Sequence, residues 1–219
     1  MSQWAHWKDA ADAIKEIRNV FCVGRNYRDH AIELGNAVPT RPMIFGKFTH
    51  ALTPASGHLA LPPGATDIHH ELEIVLFIDK PVTNGAQAKD VVGGVALGLD
   101  LTDRPLQSRL KEQGHPWELA KSFIGSGILT DFYTSGDFQD VQQAVFSLQI
   151  NGQTVQEGTP ADMLFDFDTL VQYVHQHFGL HPGDILFTGT PAGVGPLHAG
   201  DTCTLVLDNT RLGELIIAN

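Results

Sequence analysis

Residues 69–78 read HHELEIVLFI. From Leu72 to Ile78 the stretch has the nearly continuous apolar run of a strand buried on both faces. Glu71 and Glu73 fall at its start. Side chains two positions apart on a strand point to the same face, so the two carboxylates converge on one point. Ionised carboxylates that close repel each other, and the pair requires a raised pKa, a cationic partner or a metal ion. Donors that are all oxygen favour Mg²⁺ or Mn²⁺ over zinc or copper. The competing reading is an edge strand with both glutamates in solvent.

Working outward, VALGLDLT (95–102) reads as a second strand, and Asp100 at its end is a candidate third carboxylate. Asp103 competes with it, and nothing local separates the two. His30 and Glu33 are neighbours at i and i+3 on a helix expected over 26–34. A carboxylate beside an imidazole fixes its tautomer and raises its basicity, as a general base needs; an ordinary solvent-facing pair has the same spacing. His69 and His70 precede the strand and are expected to support the oxygen ligands rather than join them. TGTPAGVG (188–195) lacks the Lys-Ser/Thr of a phosphate-binding P-loop and reads as a turn that lines a pocket with Thr190.

The rest of the chain forms one domain over 18–219, preceded by an N-terminal extension over 1–17. A short helix is expected over 8–17 and a strand at VFCVG (20–24). In the 26–34 helix, Tyr27, Ala31 and Leu34 recur at helical spacing. Residues 37–67 carry five prolines and several glycines, so short extended pieces and turns follow. TNGAQAKDVV (83–92) reads as a short helix stopped by Gly93 and Gly94, and DRPLQSR as a polar cluster after the 95–102 strand. QGHPWELAK (113–121) is a Pro-broken loop with one helical turn. Asn151-Gly152 marks a hairpin over 144–155. DTLVQYVHQHF (168–178) is an amphipathic helix with Asp168 as N-cap, and strands separated by glycine-rich turns close the chain. Strands outnumber helices without βαβ alternation, so the class is α+β with a β-rich core.

With 25 acidic and 14 basic residues among 219, the formal charge is −11, the reverse of a nucleic-acid binder. Arg25, Arg28, Lys47, Arg104 and Lys121 all lie in the first 121 residues, a distribution that suits a small anionic ligand. No apolar stretch approaches the roughly 20 residues of a membrane span, and the N-terminus lacks a secretory pattern. Cys22 and Cys203, each among apolar or β-branched neighbours, read as buried free thiols. A cytoplasmic compartment is the expectation.

Together, VGRNYRDHAIELGNAVPTRPMIFGK, HHELEIVLFI, GLDLTDRPLQ, PWELAKSF and PGDILFTGTPAGVGPLHAGD resemble, in order and over residues 23–201, the short acylpyruvase-like branch of the fumarylacetoacetate hydrolase family. The resemblance implies a β-rich mixed-sheet roll or sandwich with a short lid helix, and a homodimer that binds Mg²⁺ or Mn²⁺. It implies metal ligation by Glu71, Glu73 and Asp100, which decides between Asp100 and Asp103. It also implies a catalytic set of His30, Glu33 and Lys121. Arg25, Tyr27, Lys47, Arg104, Gln107 and Thr190 take the places of substrate-pocket residues. Relatives often carry an acidic residue straight after the arginine equivalent to Arg104; here Pro105 stands there.

The activity implied is metal-dependent hydrolysis of the C–C bond of a 3-acylpyruvate such as fumarylpyruvate or acetylpyruvate. In it, His30, oriented by Glu33, deprotonates water and Lys121 stabilises the oxyanion. Oxaloacetate decarboxylation or keto–enol tautomerisation, and isomerisation of a ring-cleavage dienoate, use the same bound 2-oxo acid. A non-catalytic binding protein is the remaining class.

Overall fold

The computed structural model describes residues 3–33, 35 and 37–218. Leu72–Ile78 is a strand, buried at every position. It pairs antiparallel with Val92–Asp100 on one side and with Ile185–Phe187 on the other. A strand flanked on both edges and covered on both faces favours apolar side chains along its length, which explains the run from Ile74 to Ile78 and leaves Glu73 as the exception.

These three strands form the middle of a nine-stranded mixed sheet. Its main path runs Trp4–Lys8, Phe132–Ser135, Val92–Asp100, Leu72–Ile78, Ile185–Phe187, Val20–Gly24, Met43–Lys47. Gly127–Leu129 and Leu52–Pro54 complete it off that path. A five-stranded sheet holds, in order, Gln153–Gly158, Phe146–Ile150, Thr202–Leu207, Thr210–Ile217 and Ser56–Leu59. A three-stranded sheet joins Gly195–Pro196, Ile68–His70 and Thr102–Asp103. The main core draws on both large sheets and includes Leu76, Leu97, Phe146, Leu205 and Leu215, with the helix Phe167–Phe178 packed on it through Leu170, Val171 and Val174. This is the β-rich α+β architecture expected.

The Asn151-Gly152 hairpin forms, with φ of 53° and 80° at the two turn residues. Several local expectations change. The helix over 83–92 shrinks to Ala88–Val91, and Gly93 and Gly94 belong to the following strand. A Cβ on Gly94 would come within 2.5 Å of the Trp7 ring, so this glycine marks close packing by the N-terminal strand and not a helix stop. The long helix is capped by Asp166, which accepts from the Thr169 N–H at 2.8 Å. Asp168 instead accepts from the Ala88 N–H at 2.6 Å and ties the two helices together. The first helix is Ala10–Glu16. Leu34, placed on the lid-helix stripe from the sequence, lies outside the described residues.

DRPLQSR is the start of a ten-residue helix, Arg104–Gln113, rather than a polar cluster. Asp103 is its N-cap, accepting from the Leu106 N–H at 3.0 Å, and Pro105 sits in the first turn, where a missing N–H costs nothing. Gly114, at φ 67°, ends it.

Candidate active site

Two adjacent strands leave the large sheet side by side. At Glu71 the chain passes between the small-sheet strand Ile68–His70 and Leu72–Ile78; at Leu101 it passes between Val92–Asp100 and the small-sheet strand Thr102–Asp103. The Asp100 N–H donates to the Glu71 carbonyl at 2.8 Å where they part. This register brings Glu71, Glu73 and Asp100 together. One carboxylate oxygen from each lies within 4.8 Å of the others, and the residues are 5%, 1% and 0% exposed. Asp103 is not part of this group.

Three cations meet these carboxylates. Lys121 Nζ donates to Glu71 Oε2 at 2.6 Å and to Asp100 Oδ2 at 2.8 Å. Arg104 Nη2 donates to Glu71 Oε1 at 2.7 Å, while its Nη1 donates to Gln107 Oε1 at 2.9 Å. Lys47 Nζ lies 2.7 Å from Asp100 Oδ1, off the line of a hydrogen bond, and donates to the Lys121 carbonyl and to Ser126 Oγ. Asp100 Oδ1, buried, meets Lys47 as an ion pair and makes no hydrogen bond among the described residues. Glu73 Oε2 accepts the Gly189 N–H at 2.7 Å.

The electrostatics separate the two glutamates. For Glu71, burial alone would raise the pKa, but Lys121 and Arg104 outweigh it and hold the carboxyl well below its usual range. Glu73 is pushed well above that range by burial, then by Asp100 and Glu71. Burial also opposes the charge on Lys121, yet Asp100 and Glu71 outweigh it and keep the ammonium form. A buried carboxyl whose charged form is disfavoured by burial and by two neighbouring carboxylates suits a divalent cation, whose charge would offset that penalty. The donor set is all oxygen, as Mg²⁺ or Mn²⁺ prefers. The residues present fit such an ion.

The lid wall is built from the helix Arg28–Glu33. His30 is 4% exposed; its Nδ1 lies 3.3 Å from Glu33 Oε2, and Glu33 Oε1 accepts the Gly193 N–H at 3.0 Å. Burial lowers the His30 pKa more than Glu71 and Glu33 raise it, so the ring is neutral near pH 7. With Nδ1–H committed to Glu33, Nε2 holds the free lone pair. The helix is anchored by Asn26, fully buried, whose side chain donates to the carbonyls of Phe165 and Thr188 and accepts the Phe165 N–H.

His30, Glu71, Glu73 and Lys121 line one cavity, with Arg25, Arg104, Gln107 and Thr190 on its walls. Its apolar lining comes from Val23, Met43, Phe45 and Trp117. Two expected pocket residues are placed elsewhere. Lys47 is buried behind the carboxylates. Tyr27 packs edge-on against Phe146 and does not line this cavity. His69 and His70 are not in the carboxylate cluster: His69 bonds Asp67 and Arg104, and His70 bonds Gln156.

Lys111 also lines the cavity and escaped the sequence reading. It follows Arg104 and Gln107 at i+3 and i+7 on one helix face, a stripe visible once Asp103, Pro105 and Gly114 are read as cap, first turn and stop. Among the described residues, neither Arg25 nor Lys111 makes an ion pair or a side-chain hydrogen bond. Burial lowers the Lys111 pKa, with Arg25 and then Arg104 adding to it.

Comparison with known proteins agrees with this geometry. Residues 19–217 match the fumarylacetoacetate (FAA) hydrolase C-terminal family. The oxaloacetate tautomerase YcgM of Escherichia coli K12 is 38% identical over 204 residues, spanning 92% of this chain and 93% of that one. The mitochondrial oxaloacetate tautomerase FAHD1 of Homo sapiens is 39% identical over 186 residues, 84% of each. The crystal structure of fumarylpyruvate hydrolase from Pseudomonas aeruginosa, in complex with Mn²⁺ and pyruvate, superposes with a TM-score of 0.85 at 35% identity, covering 92% of this chain and 90% of that one. The chain belongs to the fumarylacetoacetate hydrolase family.

Proposed function

We propose that the protein interconverts the enol and keto forms of oxaloacetate, with Mg²⁺ or Mn²⁺ held by Glu71, Glu73 and Asp100. The observation that carries this is a cluster of three buried carboxylates, two of which, Glu71 and Glu73, line one cavity with a neutral, buried histidine and two cations that make no ion pair among the described residues. The tautomerase relatives move this reading ahead of acylpyruvate hydrolysis, the first expectation from sequence.

The bound ion would supply positive charge beside the 2-oxo group, where negative charge develops as the enolate forms. The chain's residues then divide the work. Lys47, Arg104 and Lys121, paired with Glu71 and Asp100, would balance three ionised carboxylates in number, so a bound divalent cation would leave a double positive charge that a dianionic 2-oxo acid matches. Arg25 and Lys111 attract the carboxylate remote from the 2-oxo group. His30 Nε2 takes the C3 proton of the keto form to leave the enolate, whose oxygen is protonated from solvent to give the enol. In the other direction the enol O–H proton is lost to solvent and protonated His30 returns a proton to C3, while Glu33 holds the ring. Lys121 fixes Glu71 and Asp100 in place.

Hydrolysis of a 3-acylpyruvate is the second reading, favoured by the His30–Glu33 pair itself. The same base could deprotonate a water that attacks the distal carbonyl. We also propose a homodimer: Phe48, Leu119 and Ile124 are 64%, 73% and 85% exposed, on neighbouring segments joined by the Phe48 N–H to Ser122 Oγ bond. The test is an assay of metal-loaded protein on enol-oxaloacetate, fumarylpyruvate and acetylpyruvate. Ketonisation far above the metal-only rate, with slow cleavage of the diketo acids, is the expected outcome. Faster C–C cleavage would put the hydrolase reading first.

A further inference from the structure

Gln156 lies on the outer strand of the five-stranded sheet, more than 30 positions in sequence from the cavity-lining residues. It is 1% exposed, although its strand neighbours Thr154 and Glu157 face solvent. Thr154 and Gln156 would normally share a face. The pairing shifts between them, with Gln149 opposite Thr154 and Leu148 opposite Gln156, so Val155 forms a bulge that turns Gln156 inward. The 188–195 turn packs on this bulge: a Cβ on Gly193, at φ 96°, would come within 2.3 Å of the Val155 carbonyl.

The four hydrogen bonds of the Gln156 amide fix its orientation. Its Oε1 lies 3.0 Å from the Leu72 N–H, which can only donate. Its Nε2 lies 3.0 Å from the Pro191 carbonyl, which can only accept. The two groups independently assign oxygen and nitrogen to the same ends. His70 Nδ1, 2.8 Å from Oε1, must then carry the proton. Thr190 Oγ1, 2.8 Å from Nε2, must be an acceptor.

The last assignment has a functional consequence. Thr190 is 3% exposed and lines the cavity. Its oxygen accepts from Gln156, so its own proton must point elsewhere, and it meets no acceptor among the described residues. At its other end Gln156 holds Leu72, the residue between Glu71 and Glu73. A single amide thus ties the carboxylate-bearing strand to the loop on the far side of the cavity.

We propose that Gln156 is a positioning residue: by donating to Thr190 Oγ1 it commits the Thr190 hydroxyl to donate into the cavity, onto a carboxylate oxygen of the bound 2-oxo acid. This rests on the 2-oxo acid reading above. A hydroxyl free to rotate could present either a lone pair or a proton; this one presents the proton, and so favours an anionic oxygen over a hydroxyl or amine at that point.

The test is a double-mutant cycle between Gln156→Met and Thr190→Val, read as KM and kcat for the accepted 2-oxo acid and as Kd for oxalate with Mn²⁺. Removal of the hydroxyl in Thr190→Val should raise KM and Kd by about tenfold, and Thr190→Ser should restore most of the affinity. Gln156→Met should raise both severalfold in the wild-type background and by a clearly smaller factor once Thr190→Val is present, the remainder reflecting the lost bonds to Leu72 and His70. Gln156→Glu is the second variant, should Gln156→Met fail to fold. It keeps the acceptor for Leu72 and His70 but gives Thr190 an acceptor, so the hydroxyl proton turns away from the cavity and affinity falls at least as far. Equal losses from Gln156 substitution in both Thr190 backgrounds, or no loss in the wild-type background, would overturn the proposal. Absence of turnover on every 2-oxo acid would sink the functional reading instead, and the oxalate Kd would still report the coupling.

Discussion

On one side of the cavity, Glu71 and Glu73 line the wall with Asp100 behind them, where two central strands leave the large sheet, each no more than 5% exposed and each held by a cation or a backbone N–H. On the other, His30 and Glu33 ride on a six-residue helix attached through Asn26 and through one Glu33–Gly193 bond, with the Glu33 side chain 34% exposed. The first wall has charges held by ion pairs and a backbone N–H; the second has a neutral, buried base turned by one side-chain hydrogen bond from a half-exposed glutamate. The difference assigns roles. A cation site needs ligands that cannot relax apart against their mutual repulsion, whereas a proton-transfer group needs a ring turned by one hydrogen bond.

The contrast can be broken most severely at the carboxylate wall. Glu73→Gln keeps the shape but not the charge, and kcat/KM should fall by on the order of 10³-fold, the scale of lost metal-centred charge stabilisation. Residual activity near wild type would remove Glu73 from the site. His30→Gln should cost about 10²–10⁴-fold in kcat with little change in KM; a KM effect alone would make His30 a binding residue. Glu33→Gln should be milder, about tenfold to a hundredfold in kcat, the worth of one hydrogen bond to a charged group.

The pH dependence follows from the same wall. Burial holds the His30 pKa below 6.5, so the neutral base persists at pH 7 and the acid limb of kcat should lie below pH 6.5. Glu33 raises that pKa, so Glu33→Gln should move the limb further toward acid. His69 and His70 are likewise lowered, by burial first. In the folded state these three rings bind fewer protons than in the unfolded chain, so stability from them is present above about pH 6.5 and is lost as pH falls. Chemical denaturation at pH 7.5 and 5.5 would check the sign. The smallest expected effect is at the cavity mouth: Lys111→Met should raise KM for a dicarboxylate about two- to fivefold, less at high salt, and leave KM for acetylpyruvate unchanged.

How far these features were legible varies with their range along the chain. The Glu71/Glu73 pair was readable because period-2 geometry is local, and so was the Asn151-Gly152 hairpin. The Arg104–Gln113 helix was also locally encoded, in Asp103, Pro105 and Gly114, but was obscured by its polar composition; reading it would have exposed Lys111 and explained Pro105. Asp100 could be chosen over Asp103 only by resemblance, because the choice depends on the register between two strands 20 residues apart and on Asp103's use as a cap. Gln156 was not legible at all. Its importance comes from a bulge that turns it inward and from partners at positions 70, 72, 190 and 191, none of which its own neighbourhood announces.

The central claim is that Glu71, Glu73 and Asp100 form one divalent-cation site. Calorimetric titration of Mn²⁺ into metal-stripped protein tests it directly. Binding is expected at one site per chain, abolished in Glu73→Gln and Asp100→Asn and retained in Asp9→Asn, a change at an exposed residue of the His6–Asp9–Asp131 cluster. Unchanged binding in both Glu73→Gln and Asp100→Asn would contradict it.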